Sequence, residues 1–254
     1  MTTSLFLTVN EPTPLLKYQV ASVIQQSQAP DELFIIDGSG QKENEDRIVQ
    51  MQTQASFAIE YLSFPTNSLL AKRLNTAIHL SKGDFLIVAN GNGLFHPKCL
   101  YHHHQFSKRG LYLNGVISKI TEMQHFEFSE TFQNVLKKAK ASGDAFYFPL
   151  RSHLTRSKSL FSTQDEIQNI SFWREDFNLI NGYDEDYETE VYTHYDLLSR
   201  LTHLGVKSKV LKGAAFMYQP NRIPKSPQHT QDISRFENSC LKKRIVARNG
   251  VEKN

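Results

Sequence analysis

Cysteine is almost missing from this chain. Cys99 and Cys240 are the only two in 254 residues, and they show no metal or redox spacing. A disulfide framework is thereby excluded, and two isolated thiols fit a reducing compartment. An excess of charge is missing as well. A net charge of +3 with 22% charged residues gives neither a disordered tail nor the basic footprint of a nucleic-acid binder, so no nucleic-acid partner is expected. No apolar run approaches the roughly 20 residues of a membrane helix. The apolar stretch over 4–9 is too short, and lacks the basic leader, for a secretion signal. The expectation is a cytoplasmic protein that at most touches a membrane surface. Repeats and low-complexity segments are absent too, and the length allows one large domain or two small ones around a substantial core.

What is present is a succession of short apolar runs that stop at polar crests. The clearest is Phe85-Leu86-Ile87-Val88-Ala89, which ends at Asn90-Gly91-Asn92. Five apolar residues without alternation suit a parallel strand covered on both faces. Ligands of open α/β sheets sit beyond the carboxyl ends of such strands, which is where Asn90 and Asn92 fall. A plain Asn/Gly-rich turn is the simpler alternative. Strands are also predicted over 4–9, 33–36 (ending at Asp37-Gly38-Ser39-Gly40) and 57–64. Helices are predicted after Thr13 as N-cap, with Leu16, Val20, Val23 and Ile24 on one face, over 43–54, and over 68–81 with Leu70, Leu74, Ala77 and Ile78 at helical spacing. This alternation is the doubly wound α/β pattern.

The second half is patterned less regularly. Asn114-Gly115 reads either as a type I′ hairpin turn or as a bulge in a continuous strand. A basic amphipathic helix is predicted over 129–142, and 143–168 reads as a surface excursion. A strand over 168–173 and a helix over 174–180 follow. The acidic, aromatic stretch 183–192 reads as a loop before a helix with Leu197, Leu198, Leu201 and Leu204 inward and Gly205 at its end. Last strands over 209–218 and a basic helix over 231–247 close the chain. His102-His103-His104 cannot share one ion, because helix neighbours point about 100° apart, and a solvated helix start is expected, with His104 alone near the site. Lys242, Lys243, Arg244 and Arg248 suit either a solvated face or anionic lipid.

Five segments carry a family resemblance. Thr8-Val9-Asn10, the run from Pro30 to Ser39, Lys72-Arg73-Leu74-Asn75-Thr76-Ala77-Ile78, and Gly83-Asp84 with His96-Pro97 match in order; Asn169 to Phe177 followed by Asn181-Gly182-Tyr183-Asp184 is the most specific match. The chain resembles family-2 glycosyltransferases of the GT-A fold, and within them the bacterial enzymes that build lipopolysaccharide and capsule. The resemblance implies one continuous GT-A domain, with a nucleotide-sugar-binding half over 1–118 and an acceptor-side half over 119–254. It implies a nucleotide-sugar donor held by Thr8, Asn10, Asp37, Lys72, Asn75, Asn90 and Asn92, and a glycan or glycolipid acceptor near Trp173, Tyr183 and Asp184. Transfer would invert the anomeric centre. The basic closing helix would touch the inner membrane.

The departures bear on mechanism. The family keeps Asp-x-Asp where this chain has Asn90-Gly91-Asn92, and hard cations want charged oxygen ligands. Two amides offer neutral oxygens, so no metal ligand is assigned and at most a weak Mn or Mg requirement is expected; the amide N–H groups can instead donate to a diphosphate. The family's Glu-Asp pair is replaced by Thr193-His194, which leaves His194 or Asp196 as base. Its late histidine pair is replaced by Met217-Tyr218-Gln219-Pro220, and basic residues near Gly115 by Val116 and Ile117. A catalytically inactive relative that serves as a binding or regulatory partner is the alternative reading.

Overall fold

The computed structural model describes residues 1–10, 16–41, 43–91, 93–119, 154–156, 169–218 and 230–253. Strands β1 (Thr3–Val9), β2 (Glu32–Asp37), β3 (Ala58–Ser63) and β4 (Phe85–Asn90) form the parallel half of one sheet, in the order β3-β2-β1-β4. Helices α1 (Leu16–Ile24), α2 (Glu43–Gln52) and α3 (Leu70–Leu80) connect them. Odd-numbered side chains of the inner strands, among them Leu5, Leu7, Leu33, Ile35, Phe85 and Ile87, pack with Leu16, Val20, Val23 and Ile48 on one face. Even-numbered ones, Phe6, Phe34, Ile36, Leu86 and Val88, pack with Leu70, Leu74, Ala77 and Ile78 on the other. Burial on both faces explains why these strands lack polar alternation.

Beyond β4 come β5 (Gly93–Phe95), α4 (Cys99–Phe106), β6 (Leu111–Lys119), β7 (Leu154–Arg156), β8 (Asn169–Trp173), α5 (Arg174–Leu179), α6 (Glu190–His203), β9 (Lys207–Tyr218) and α7 (Thr230–Leu241). The sheet continues without a break as β4-β8-β6-β9-β5, with β7 also on β9. β8 runs antiparallel to β4 and β6, whereas β6 and β9 are parallel. The result is a mixed α/β sheet flanked by helices, as the pattern predicts.

Several expectations are corrected. Of the two readings of Asn114-Gly115 the hairpin gives way to the bulged strand: β6 runs through it, and the register shifts between Gly115 and Ile117, because β9 jumps from Leu211 to Phe216 opposite them. The closing helix ends at Leu241 rather than at 247. Lys242, Lys243, Arg244 and Arg248 therefore lie beyond it, on a segment tied down by bonds such as Ala247 N to Ile180 O at 3.0 Å. α6 begins at Glu190, so Thr193 and His194 lie inside a helix. The chain then leaves α6 through Gly205, whose φ of +100° is open to glycine at little cost. His102 and His103 are buried instead of solvated. His104 bonds Thr3 Oγ1 at the amino end of β1 as well as Gln28, away from the polar crests. The predicted helix over 129–142, the excursion over 143–168 for the most part, Thr13, Gln219 and Pro220 lie outside the described residues.

Candidate functional site

In an open α/β sheet the crossovers that leave a central strand in opposite directions open a crevice at its carboxyl end. β1 is that strand here. Its chain goes to β2 on one side, and β4 takes up the other side later, with Thr8 in register with Asn90. Asn10 follows β1 and Asn90 ends β4, so both amides stand at the mouth of this crevice. Glu190, the first residue of α6, reaches across it. Its Oε2 accepts from Asn10 Nδ2 at 2.9 Å, and its Oε1 from Asn90 Nδ2 at 2.8 Å. One carboxylate from the second half of the chain thus ties together the two strands that border the crevice.

Arg73 closes the other side. Its Nη2 donates to Asn10 Oδ1 at 2.8 Å, while Nε and Nη1 are buried with no partner among the described residues. The side chain lies against Gly38, where an added Cβ would sit 1.9 Å from Nη1, so only glycine lets the guanidinium approach the end of β2. Burial lowers its pKa while the charges of Glu190 and Asp37 oppose that, and a guanidinium stays a cation throughout. Asp37 is buried at the end of β2 and accepts from Ser39 N at 2.7 Å, Asn44 Nδ2 at 2.7 Å and Tyr61 OH at 2.6 Å. Burial alone would raise its pKa; the donors from Ser39, Tyr61 and Asn44 outweigh it and hold the carboxyl below its ordinary value. Thr8 Oγ1 is buried nearby and unpartnered among the described residues.

The predicted site residues separate into those at the crevice and those elsewhere. Thr8, Asn10, Asp37 and Asn90 come together; Asn92 lies outside the described residues. Lys72, which the resemblance assigned to the donor, is exposed, and its neighbour Arg73 is the α3 cation that faces the crevice. Asn75 is spent on structure: Nδ2 donates to Tyr183 O and Glu185 Oε1, and Oδ1 accepts from Tyr183 N, each at 2.9 Å. Trp173 pairs with Phe85 at the start of β4, about 17 Å from Asn90 at strand rise, under the guanidinium of Arg109. It therefore lies at the opposite end of β4 from the crevice. Asp184 is buried against the backbone of Asp186 and Arg248, and Tyr183 is fully buried in the core. All three act as packing and clamping residues.

The two candidate bases are buried too. His194 lies one turn below Glu190 on the same face of α6, with Nδ1 3.3 Å from Tyr183 OH, and burial pushes its pKa down to about 4. Asp196 is fully buried, 2.7 Å from Arg200 Nε, with Tyr187 OH and Ser239 OH donating to its other oxygen. Glu190 and Arg73 are the crevice residues that the sequence reading did not select. Glu190 was hidden in an apparent acidic loop, and its one signal was its place four residues before His194. Among the described residues no group of three or more His, Cys, Asp or Glu is arranged to hold a metal.

His103 shares the state of His194. It lies between Ser171 Oγ and Asn169 Oδ1 at 2.8 and 3.0 Å, and burial, with smaller help from His104 and His102, pushes it down to about 4. Both rings are neutral when folded, whereas the unfolded chain binds their protons near pH 6.5. Their contribution to stability is therefore complete above pH 6.5 and is lost as the pH falls towards 4, at up to about 1.4 kcal/mol per pH unit for each ring. Urea midpoints should fall across that window, and His103→Gln should flatten the dependence. A wild-type midpoint unchanged between pH 7 and 4.5 would contradict the assignment.

Comparison with known proteins adds the following. The family model described as Glycosyl transferase family 2 matches residues 6–165. No curated protein is significantly similar in sequence. Among solved structures, the mannosyltransferase PcManGT from Pyrobaculum calidifontis, in complex with GDP-Man and Mn2+, superposes with a TM-score of 0.63 at 12% identity over 94% of this chain. S. aureus TarS 1-349 in complex with UDP gives 0.66 at 9% over 96%. GalNAc-T7 with UDP, GalNAc and Mn2+ gives 0.69 at 14% over 94%. This chain spans 64% of the first, 65% of the second and 48% of the third. At such identities the likeness is one of fold, and that fold is GT-A.

Proposed function

The chain belongs to glycosyl transferase family 2, and from that premise we propose that it moves a sugar from a nucleotide-sugar donor to a glycan or glycolipid acceptor, with inversion and without a firm metal requirement. The observation that carries this reading is the convergence of Asn10, Asp37, Arg73 and Asn90 on one crevice at the switch point of the sheet. N–H groups on Arg73 that are buried and unpartnered among the described residues are costly unless something anionic completes them, and a nucleoside diphosphate would do so. The amide at Asn90 fits the same picture. With Glu190 at hydrogen-bond distance, an aspartate there would set two carboxylates about 3 Å apart, a like-charge contact that neutral asparagine avoids.

The protein is placed in the cytoplasm at the inner membrane in this reading, with a surface glycan such as lipopolysaccharide or capsule as the product. Support comes from exposed Lys242, Lys243 and Arg248 beside exposed Leu241, Ile245 and Val246, a mixture suited to an anionic lipid surface. No helix among the described residues is long and apolar enough to cross a membrane.

Titration calorimetry with UDP-N-acetylglucosamine and GDP-mannose, in EDTA and again with Mn2+, tests the reading. At least one donor should bind in EDTA, and Mn2+ should tighten it by less than about tenfold, or 1.4 kcal/mol. Binding of neither donor under either condition would end the transfer reading and leave the inactive-relative alternative.

A further inference from the structure

We infer that Glu190 is a latch on the donor seat: its carboxylate holds the amide N–H groups of Asn10 and Asn90 that a donor diphosphate would need, and donor binding has to displace it. The inference deepens the transfer reading above and rests on it. The resemblance assigns Asn10 and Asn90 to the donor, yet the structure gives both Nδ2 atoms to a carboxylate of the chain itself, at 2.9 and 2.8 Å. An anion bound to the same nitrogens would lie about 5 Å from that carboxylate, the spacing of two acceptors on one amide nitrogen. Like charges at that range disfavour each other, and in a partly buried site salt screens them little. One of the two anions must leave.

The competition favours the diphosphate. Arg73 donates to Asn10 Oδ1 through Nη2 at 2.8 Å, but with the latch closed its Nε and Nη1 have no partner among the described residues. A diphosphate carries more charge and more acceptor oxygens than one carboxylate, so it can engage the guanidinium as well as the amides. The movement required is small. The backbone before Glu190 is clamped from α7, where buried Asp232 accepts from Thr189 N at 2.9 Å and from Thr189 Oγ1 at 2.8 Å. Glu190 itself is partly exposed, so rotation about its own side-chain bonds takes the carboxylate off the amides while α6 stays in place. Apparent donor affinity then scales with the fraction of molecules whose latch is open, and a latch closed nine times in ten lowers it about tenfold.

Titration calorimetry with UDP and with GDP, in EDTA and at one ionic strength, tests the latch. Glu190→Ala and Glu190→Gln should each bind at least one of the two about tenfold more tightly than wild type. Glu190→Asp keeps the charge on a side chain one methylene shorter, which cannot span both amides, and should tighten binding at least about threefold. If Glu190→Asp binds like wild type while the other two bind more tightly, the carboxylate acts only by general repulsion, and the latch is overturned. Equal or weaker binding by Glu190→Ala and Glu190→Gln overturns it as well, because the carboxylate would then support the crevice rather than obstruct it. Both of those failures leave the transfer reading standing, since wild type still binds. Binding of neither nucleotide by any of the four proteins defeats the transfer reading, and the latch with it.

Discussion

Asp196→Ala should cost about 3–5 kcal/mol of stability, a large share of what a domain of this kind possesses. The ion pair it breaks has no solvent access on either side chain, with Nε and Oδ2 2.7 Å apart. Arg200 would be left with Nη1 on Ile180 O and a buried guanidinium charge without a counterion. Tyr187 OH and Ser239 OH would lose their acceptor at the same time. Removing one partner is what makes the loss large. The double replacement Asp196→Leu with Arg200→Met takes away both charges and should recover most of the stability, since apolar pairs of similar volume often match a buried ion pair. Urea denaturation at pH 7 checks both, and an Asp196→Ala protein within about 1 kcal/mol of wild type would contradict the structural role. Any loss of activity in that variant is then a folding effect.

Arg73→Met should weaken nucleotide-sugar binding by about 2–5 kcal/mol, the cost of truncating one partner of a buried, hydrogen-bonded charge pair. The argument is local. Arg73 is buried, one of its nitrogens is engaged with Asn10, and two others have no partner among the described residues. Gly38→Ala provides a test that leaves the charge untouched, because the new Cβ would claim the space of Nη1 and push the guanidinium aside. It should reproduce most of the Arg73→Met loss. Arg73→Lys keeps the charge but not the planar fork, and should fall between. Lys72→Met should leave affinity unchanged, as Lys72 is exposed. Calorimetry that finds Lys72→Met more damaging than Arg73→Met would mean that α3 presents its other face to the donor.

The amino-terminal half was legible because its signals are local and redundant. Apolar runs of five or six residues, turn formers after each, and helices with one apolar face leave little choice but a parallel sheet covered on both sides. The same reasoning put Asn10, Asp37 and Asn90 at strand ends. The errors fell where one residue of register or a long-range partner decides the outcome. Lys72 and Arg73 are both cations on α3, and only packing of Leu70, Leu74 and Ala77 against the sheet turns Arg73 rather than Lys72 inward. Asn114-Gly115 carries the local chemistry of a turn, yet pairing with β8 and β9 on its two sides holds it extended.

By itself, then, the sequence determined the sheet, its two apolar faces and the edge on which a ligand belongs, because hydrophobic periodicity acts between near neighbours and needs no knowledge of the rest of the chain. Only the tertiary structure decided which side chains serve the crevice. Glu190 meets Asn10 and Asn90 across separations of 180 and 100 residues. His194 and Asp196 are withdrawn into the core by Tyr183 and Arg200. A carboxylate is the same residue type in a loop, an ion pair or a site, and its surroundings, which fold closure alone supplies, set its role.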